Sequence, residues 1–256
     1  MPATVDTQEL EVKVKDMYRH VATEPQGDYH FELGRSLAER LGYPHEVLDR
    51  IPAGAVESFA GVGYFFELAE LRDGERVIDL GSGSGMDVFF AASQVGAAGH
   101  VAGVDFTAEQ LEKARRLAAE GGFGQVEFRE GRIESLPADD ESYDCVISNG
   151  VINLSPHKEH VFAEAARVLR PGGRVAIADI VSEQQLKESI VCDADLWASC
   201  IGGAAQEDAY RVAIESAGLR IDDIRRNPYE FISERARDAS AKYGVKSVSL
   251  LAVKAV

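Results

Sequence analysis

Two hydrophobic rhythms divide the chain. Over residues 5–72 the apolar positions include Val5, Val12, Val14, Met17, Tyr18 and Val21, close to helical spacing, and Pro25, Gly27, Pro44, Pro52 and Gly54 cut the segment into short pieces. That pattern predicts several helices and no strand. From Arg76 short apolar runs take over: RVIDL (76–80), HVAGVD (100–105), VEFRE (126–130), YDCVISN (143–149) and RVAIADI (174–180). Runs that are apolar on both faces and alternate with helical segments predict a mostly parallel sheet covered by helices on both sides.

The helix expected after the second run is the clearest. Ala108, Leu111, Ala114 and Leu117/Ala118 form one apolar stripe, Thr107 with Gln110 spells a capping box, and Gly121-Gly122 ends it. Glu109–Lys113 and Glu112–Arg116 are spaced to pair on its solvent side. Another helix is expected from about Lys158 to Leu169, stopped by Arg170-Pro171-Gly172-Gly173. Beyond Ile180 the pattern predicts a helical stretch over 183–200 and a helix near 207–217. Two more strands follow, LRIDDIRR (219–226) and KSVSLLAVKA (246–255). No helix is read between those two, so the last is expected to return antiparallel. The organisation expected is a helical lid (1–72), an α/β core (73–181) and a substrate-side cap followed by the last strands (182–256).

Composition narrows the class of partner. The formal net charge of −16 repels phosphate, and no Lys/Arg cluster offsets it, so a nucleic-acid partner is not expected. No stretch approaches the roughly 18 apolar residues of a membrane span, and the N-terminus has no apolar signal region. Cys145, Cys192 and Cys200 show no C-x-x-C spacing, which argues against a disulfide framework or a structural zinc site and for a reducing, cytoplasmic setting.

The candidate chemistry starts at Val77-Ile78-Asp79-Leu80-Gly81-Ser82-Gly83-Ser84-Gly85, three glycines on alternate positions where a strand gives way to a helix. Missing Cβ atoms let a ligand lie against backbone N–H groups, and the helix N-terminus favours a carboxylate or phosphate. Asp105, ending the second strand, is placed to accept from both hydroxyls of a ribose. A dinucleotide fingerprint is G-x-G-x-x-G, whereas here the third glycine comes one residue early and Met86 follows it. An acid at 79 would repel pyrophosphate and welcome an ammonium. S-adenosylmethionine carries an ammonium, a ribose and no phosphate, and it fits the acids at 79 and 105 better than NAD does.

At this point the chain resembles the class I methyltransferases and, more narrowly, the arsenite methyltransferases. The resemblance rests on VIDLGSGSGMDVFFAASQVG (77–96), HVAGVDFTAEQLEKAR (100–115), EGRIESLP (130–137), SYDCVISNGVINLSPHKEHVFAEAARVLRPGGRVAIADIV (142–181) and LWASCIGGA (196–204). It implies a doubly wound, Rossmann-like, mostly parallel seven-stranded sheet, with S-adenosylmethionine as methyl donor and S-adenosylhomocysteine as product. It also implies a set of cofactor contacts. Asp79, Gly81, Ser82, Gly83 and Gly85 would surround the methionine portion and ribose, Asp105 would hold the ribose hydroxyls, and Phe106, Ile133 and Glu134 would border the adenine. Asn149 would lie near the sulfonium, and Tyr18 matches a tyrosine that closes over the cofactor.

The departures from the family are specific. Arsenite methyltransferases hold trivalent arsenic through three cysteine thiolates. Here Val62 stands at the first such position, Gly150 at the second, and Cys200 alone remains. In a continuous helix over 192–200, Cys192 would lie roughly 12 Å from Cys200, too far to share one ion.

Methyl transfer from a sulfonium asks the protein to hold a nucleophile in line at about 3–3.5 Å and to exclude water. Val62, Gly150, Asn153, Trp197 and Cys200 are the expected substrate-side residues, within a lining that Tyr18, Tyr29, Phe31, Phe59, Tyr64, Phe65 and Phe66 would complete. Cys200 is the candidate for a soft or thiol-bound acceptor. For an oxygen or carbon acid a base is required, and His157 leads His160 and Tyr18. The expected function is S-adenosylmethionine-dependent, arsenite methyltransferase-like methylation of a small molecule by in-line transfer, carried out by a monomer or homodimer. The alternatives are C- or O-methylation of a natural product or quinone without arsenic activity, and cofactor binding without catalysis.

Overall fold

The computed structural model describes residues 5–29, 31–193, 196–197 and 201–256. Among the described residues five helices precede the sheet: α1 (Thr7–Thr23), α2 (Arg35–Leu41), α3 (His45–Leu48), α4 (Ala53–Glu57) and α5 (Phe66–Ala69). The first is the longest. Asp6 caps it by accepting from the N–H groups of Gln8 and Glu9, and it buries Leu10, Val14 and Val21 along one side.

The sheet begins with β1 (Arg76–Leu80) and continues through α6 (Met86–Val95), β2 (His100–Asp105), α7 (Ala108–Gly121), β3 (Val126–Glu130), β4 (Tyr143–Asn149), α8 (Lys158–Val168) and β5 (Leu169–Ser182). After β5 come α9 (Glu188–Val191), β6 (Ala205–Gln206), α10 (Glu207–Ser216), β7 (Leu219–Arg226), α11 (Glu234–Tyr243) and β8 (Lys246–Lys254). Strand order is β3-β2-β1-β4-β5-β8-β7, with the two-residue β6 set against β5. All pairs are parallel except those of β8, which runs antiparallel to both β5 and β7.

Strand periodicity splits the core in two. Val77, Val101, Cys145, Ile147 and Ala176 point to the face covered by α6, α7 and the N-terminal helices. Ile78, Leu80, Ala102, Val104, Val146 and Ile177 point to the face covered by α8 and α10.

Four sequence expectations need correction. The capping box does not form: Thr107 makes no side-chain cap bond, its own N–H goes to Asp105 Oδ1, and Gln110 reaches elsewhere. Lys113 does not pair with Glu109; its Nζ donates to Ala22 O and Ser58 Oγ, because α1 and α4 lie close to α7. The helix expected over 183–200 is broken among the described residues: α9 and, separately, Leu196 and Trp197 are helical, while β5 runs on to Ser182. The final two strands do have a helix between them, α11, yet β8 is antiparallel as anticipated. Among the described residues no helix is long and apolar enough to cross a membrane.

Candidate functional site

The strand order reverses between β2-β1 and β4, so the crevice at the C-terminal ends of these strands is the natural ligand position of a doubly wound sheet. The glycine-rich turn leaves β1 there. Gly81, Gly83 and Gly85 all take positive φ (74°, 52° and 91°). At two of them space is equally decisive: a Cβ on Gly81 would sit 2.4 Å from Val151 Cγ1, and one on Gly85 2.6 Å from Phe128 Cζ. Asp105 holds the turn in shape, its Oδ2 accepting from Gly83 N–H at 2.9 Å while Oδ1 accepts from Thr107 N–H at 2.8 Å.

A cavity opens over this turn. Among the sequence candidates, Tyr18, Asp79, Gly81, Ser82, Gly83, Asp105, Phe106, Ile133, Glu134 and Asn149 line it; Gly85 lies behind them as the N-cap of α6. Helix α1 roofs it with Thr7, Leu10, Glu11, Val14 and Tyr18, and Phe59–Gly61 forms a further wall. Lys15 Nζ stands 5.0 Å from the Phe106 ring centre, and Glu134 accepts from Ser155 Oγ at 2.6 Å.

Three carboxylates crowd the floor. Asp79, Asp87 and Asp105 are 3%, 6% and 8% exposed and all line the cavity. Burial, then the charges of Asp87 and Asp105, push the Asp79 carboxyl well above the usual range. Burial lifts Asp87 to about 6, opposed by hydrogen bonds from Tyr43 and Asn149, and burial lifts Asp105 against the N–H groups of Thr107 and Gly83. Among the described residues the one basic side chain in the lining is Arg132, and it is engaged by Glu11 at 2.6 Å. A floor of this kind lacks a cation. It favours a cationic ligand and disfavours one bearing phosphates.

Asp87 and Tyr43 are not legible in the sequence as site residues. Tyr43 O–H donates to Asp87 Oδ1 at 2.6 Å, and Asn149 Nδ2 donates to Asp87 Oδ2 at 3.0 Å. Asn149 also accepts from Val62 N–H at 2.7 Å, so it ties the 61–63 loop to the cavity. Asp87 reads in sequence as an ordinary acid in the first turn of a helix. Its position directly after the glycine turn is the one signal that could have found it.

The structure does not bring every candidate to the cavity. His157 is exposed as the N-cap of α8 and stacks on His160 at 5.5 Å, outside the lining, so neither imidazole faces a ligand held there. Val62 is buried against Gly150, where an added Cβ would lie 3.1 Å from Val62 Cγ1; neither residue lines the cavity. Asn153 is buried with its carbonyl accepting from Lys158 Nζ at 3.2 Å. Trp197 donates from Nε1 to Val191 O at 2.6 Å and lies beneath Lys158 Nζ, again outside the lining. Of the aromatic candidates, Tyr18 and Phe59 reach the cavity; Tyr64 and Phe66 pack with Tyr43 and Phe90, Phe65 stacks on Phe66, and Tyr29 stacks on Phe31. Cys200 lies outside the described residues.

Comparison with known proteins places these features. Residues 71–218 match the family described as a methyltransferase domain. An arsenite methyltransferase of Halobacterium salinarum is 39% identical over 250 residues, covering 91% of this chain and 64% of that protein. One from Aquipseudomonas alcaligenes is 47% identical over 141 residues, covering 52% of this chain and 41% of that protein. The chain thus spans at most about two thirds of the length of these two relatives. The crystal structure of an arsenic(III) S-adenosylmethionine methyltransferase from Chlamydomonas reinhardtii superimposes with a TM-score of 0.64 at 30% identity, over 88% of this chain and 75% of that one. With its parallel sheet, its glycine turn and these matches, the chain belongs to the class I methyltransferase family, in the arsenite methyltransferase-like branch.

Proposed function

We propose that the cavity binds S-adenosylmethionine and that the chain methylates a small molecule. The observation carrying this reading is the acidic floor, Asp79, Asp87 and Asp105, set beside a glycine turn with three left-handed residues. The residues present fit the cofactor. Ser82 Oγ is buried in the lining without a hydrogen-bond partner among the described residues, a polar atom suited to a ligand. Asp79 and Asp87 would neutralise the ammonium and sulfonium end. Asp105 would accept from the ribose hydroxyls, since each of its oxygens keeps a lone pair after serving the turn. Phe106, Ile133 and Glu134 would flank the adenine, and Tyr18 would cover it.

When bound, the cofactor supplies an already activated methyl group, so the protein's task is orientation and exclusion of water. Helix α1 supplies the exclusion. Phe59, Val14 and Leu154 offer an apolar surface to the acceptor, and Asn149 offers a polar amide at the edge of the acidic floor.

The acceptor is a small molecule that does not require the three-thiolate arsenic site of the family. Val62 and Gly150 abut each other and present no ligand atom. Cys145 is buried in β4, where burial pushes its thiol up to about 12, and Cys192 ends α9 away from the cavity lining. Arsenite methylation through Cys200 is the second reading, favoured by the 39% identity to the H. salinarum enzyme.

Calorimetry with S-adenosylhomocysteine and NAD, followed by incubation with methyl-labelled cofactor and either arsenite plus a dithiol or a panel of quinones and phenols, tests both readings. Uptake of S-adenosylhomocysteine and labelling of an organic acceptor, insensitive to Cys200→Ser, is the expected result. A labelled arsenical lost in Cys200→Ser establishes the second reading. Tight NAD uptake with no affinity for S-adenosylhomocysteine overturns both.

A further inference from the structure

Gln110 stands in the first turn of α7, is 2% exposed, and makes two hydrogen bonds of opposite polarity. Its Oε1 accepts from Ser84 Oγ, and its Nε2 donates to the carbonyl of Tyr18 at 2.8 Å. A carbonyl can only accept, so the amide has one orientation that serves both partners. Ser84 belongs to the glycine turn under the cavity, whereas Tyr18 belongs to α1 over it. One buried side chain is therefore bonded to both floor and roof.

Other ties of α1 among the described residues differ in kind. Lys113 Nζ reaches Ala22 O and Ser58 Oγ, Ser58 Oγ donates to Val21 O, Arg132 meets Glu11, and Lys15 covers the Phe106 ring. They fasten the roof to α7, α4 and the loops after β2 and β3, but none of them touches the glycine turn. Gln110 is released for its task because the expected capping box is absent: Asp105 engages Thr107 N–H instead.

We propose that Gln110 is a positioning residue coupling the glycine turn to the roof helix, so that a nucleoside seated on the turn holds α1 closed. The inference rests on the cofactor reading above. Opening α1 alone would break the Gln110–Tyr18 bond, and shifting the turn alone would break the Ser84–Gln110 bond. The two movements are thereby made costly apart. A ligand that fixes the turn raises the cost of opening the roof.

Hydrogen–deuterium exchange of residues 7–23 and the dissociation rate of S-adenosylhomocysteine test the coupling, using the whole chain, Gln110→Met, Gln110→Glu and Ser84→Ala. Gln110→Met keeps the volume and removes both bonds. Gln110→Glu keeps an acceptor for Ser84 and removes the donor to Tyr18. In the unaltered chain the ligand slows exchange across α1. In Gln110→Met and Gln110→Glu the ligand still binds, leaves about tenfold faster, the equivalent of one lost hydrogen bond, and no longer protects α1. Ser84→Ala has the same effect, and combining it with Gln110→Met adds nothing further. Protection of α1 that persists in Gln110→Met, or additive effects of the two substitutions, overturns the coupling while leaving the cofactor reading intact. Failure of the unaltered chain to bind S-adenosylhomocysteine overturns the cofactor reading and the coupling with it.

Discussion

Asp87→Asn separates what the acidic floor does for the ligand from what it costs the fold. Burial lifts Asp87 from 3.8 to about 6. At about 1.4 kcal/mol for each pH unit of that rise, an ionised Asp87 is unfavourable to the folded state by about 3 kcal/mol at neutral pH. The folded chain holds more protons than the unfolded chain between these values. Its stability therefore falls as pH rises through that window, and the full penalty stands above pH 6. Asparagine carries no charge and escapes the penalty. Its carbonyl oxygen can still accept from Asn149 Nδ2, as Asp87 Oδ2 does at 3.0 Å, but its NH2 then faces the Tyr43 hydroxyl, which must accept and turn its own proton to the longer contact with Gly63 O at 3.5 Å. Losing the short Tyr43–Asp87 bond costs about 1 kcal/mol at any pH. The variant should be less stable than the natural chain near pH 4 and should gain about 3 kcal/mol on it by pH 7. Its affinity for S-adenosylhomocysteine should fall by about tenfold to a hundredfold, since a charged hydrogen-bond partner of the ammonium is lost. Urea unfolding between pH 4 and 8 and calorimetry at pH 7 measure the two quantities. A stability difference independent of pH, or an undiminished affinity, would refute the argument that Asp87 is a buried anion held for a cation.

Other consequences are equally direct. Gly81→Ala should abolish S-adenosylhomocysteine binding, because φ is +74° and the new methyl would sit 2.4 Å from Val151 Cγ1; calorimetry reads this. Gly74→Ala, with φ +82° and nothing within 4 Å, should leave binding unchanged and cost only about 1–2 kcal/mol in urea unfolding. Asp105→Ala should lower affinity for S-adenosylhomocysteine by about a hundredfold, since the turn loses the acceptor of Gly83 N–H as well as the ribose partner; equilibrium dialysis measures it. Lys158, buried at the foot of α8, has its ammonium lowered to about 8 by burial. The unfolded chain holds the extra proton above that value, so stability should rise by about 3 kcal/mol between pH 8 and 10.5, a slope absent in Lys158→Met. Trp197, the sole tryptophan and packed under Lys158, reports both unfolding curves by fluorescence.

What the amino-acid order decides alone is whatever repeats locally. RVIDL, HVAGVD and YDCVISN are legible as central strands because they are apolar on both faces. The glycine turn is legible because alternate glycines between strand and helix have few other uses, and Asp105 follows from its place at a strand end. Helix α11 was less legible: it buries only Ala236, Ala239 and Tyr243, too slight a stripe to stand out, although Ser233 and Gly244 cap it. The 183–200 segment has helical composition, but α9 is a single turn whose Ile190 and Val191 are only partly buried against the core. Other features exist only in three dimensions. Asp87 acquires its meaning from Tyr43, Gln110 is diverted from its capping role to Ser84 and Tyr18, and Val62 meets Gly150. Each of these contacts joins residues far apart in the chain, and the partner decides the electrostatics and hydrogen bonding of a side chain whose identity is neutral between several roles. Local periodicity follows from the backbone's own geometry, whereas the protonation of a buried acid or the partner of an amide depends on which distant groups close packing sets beside it.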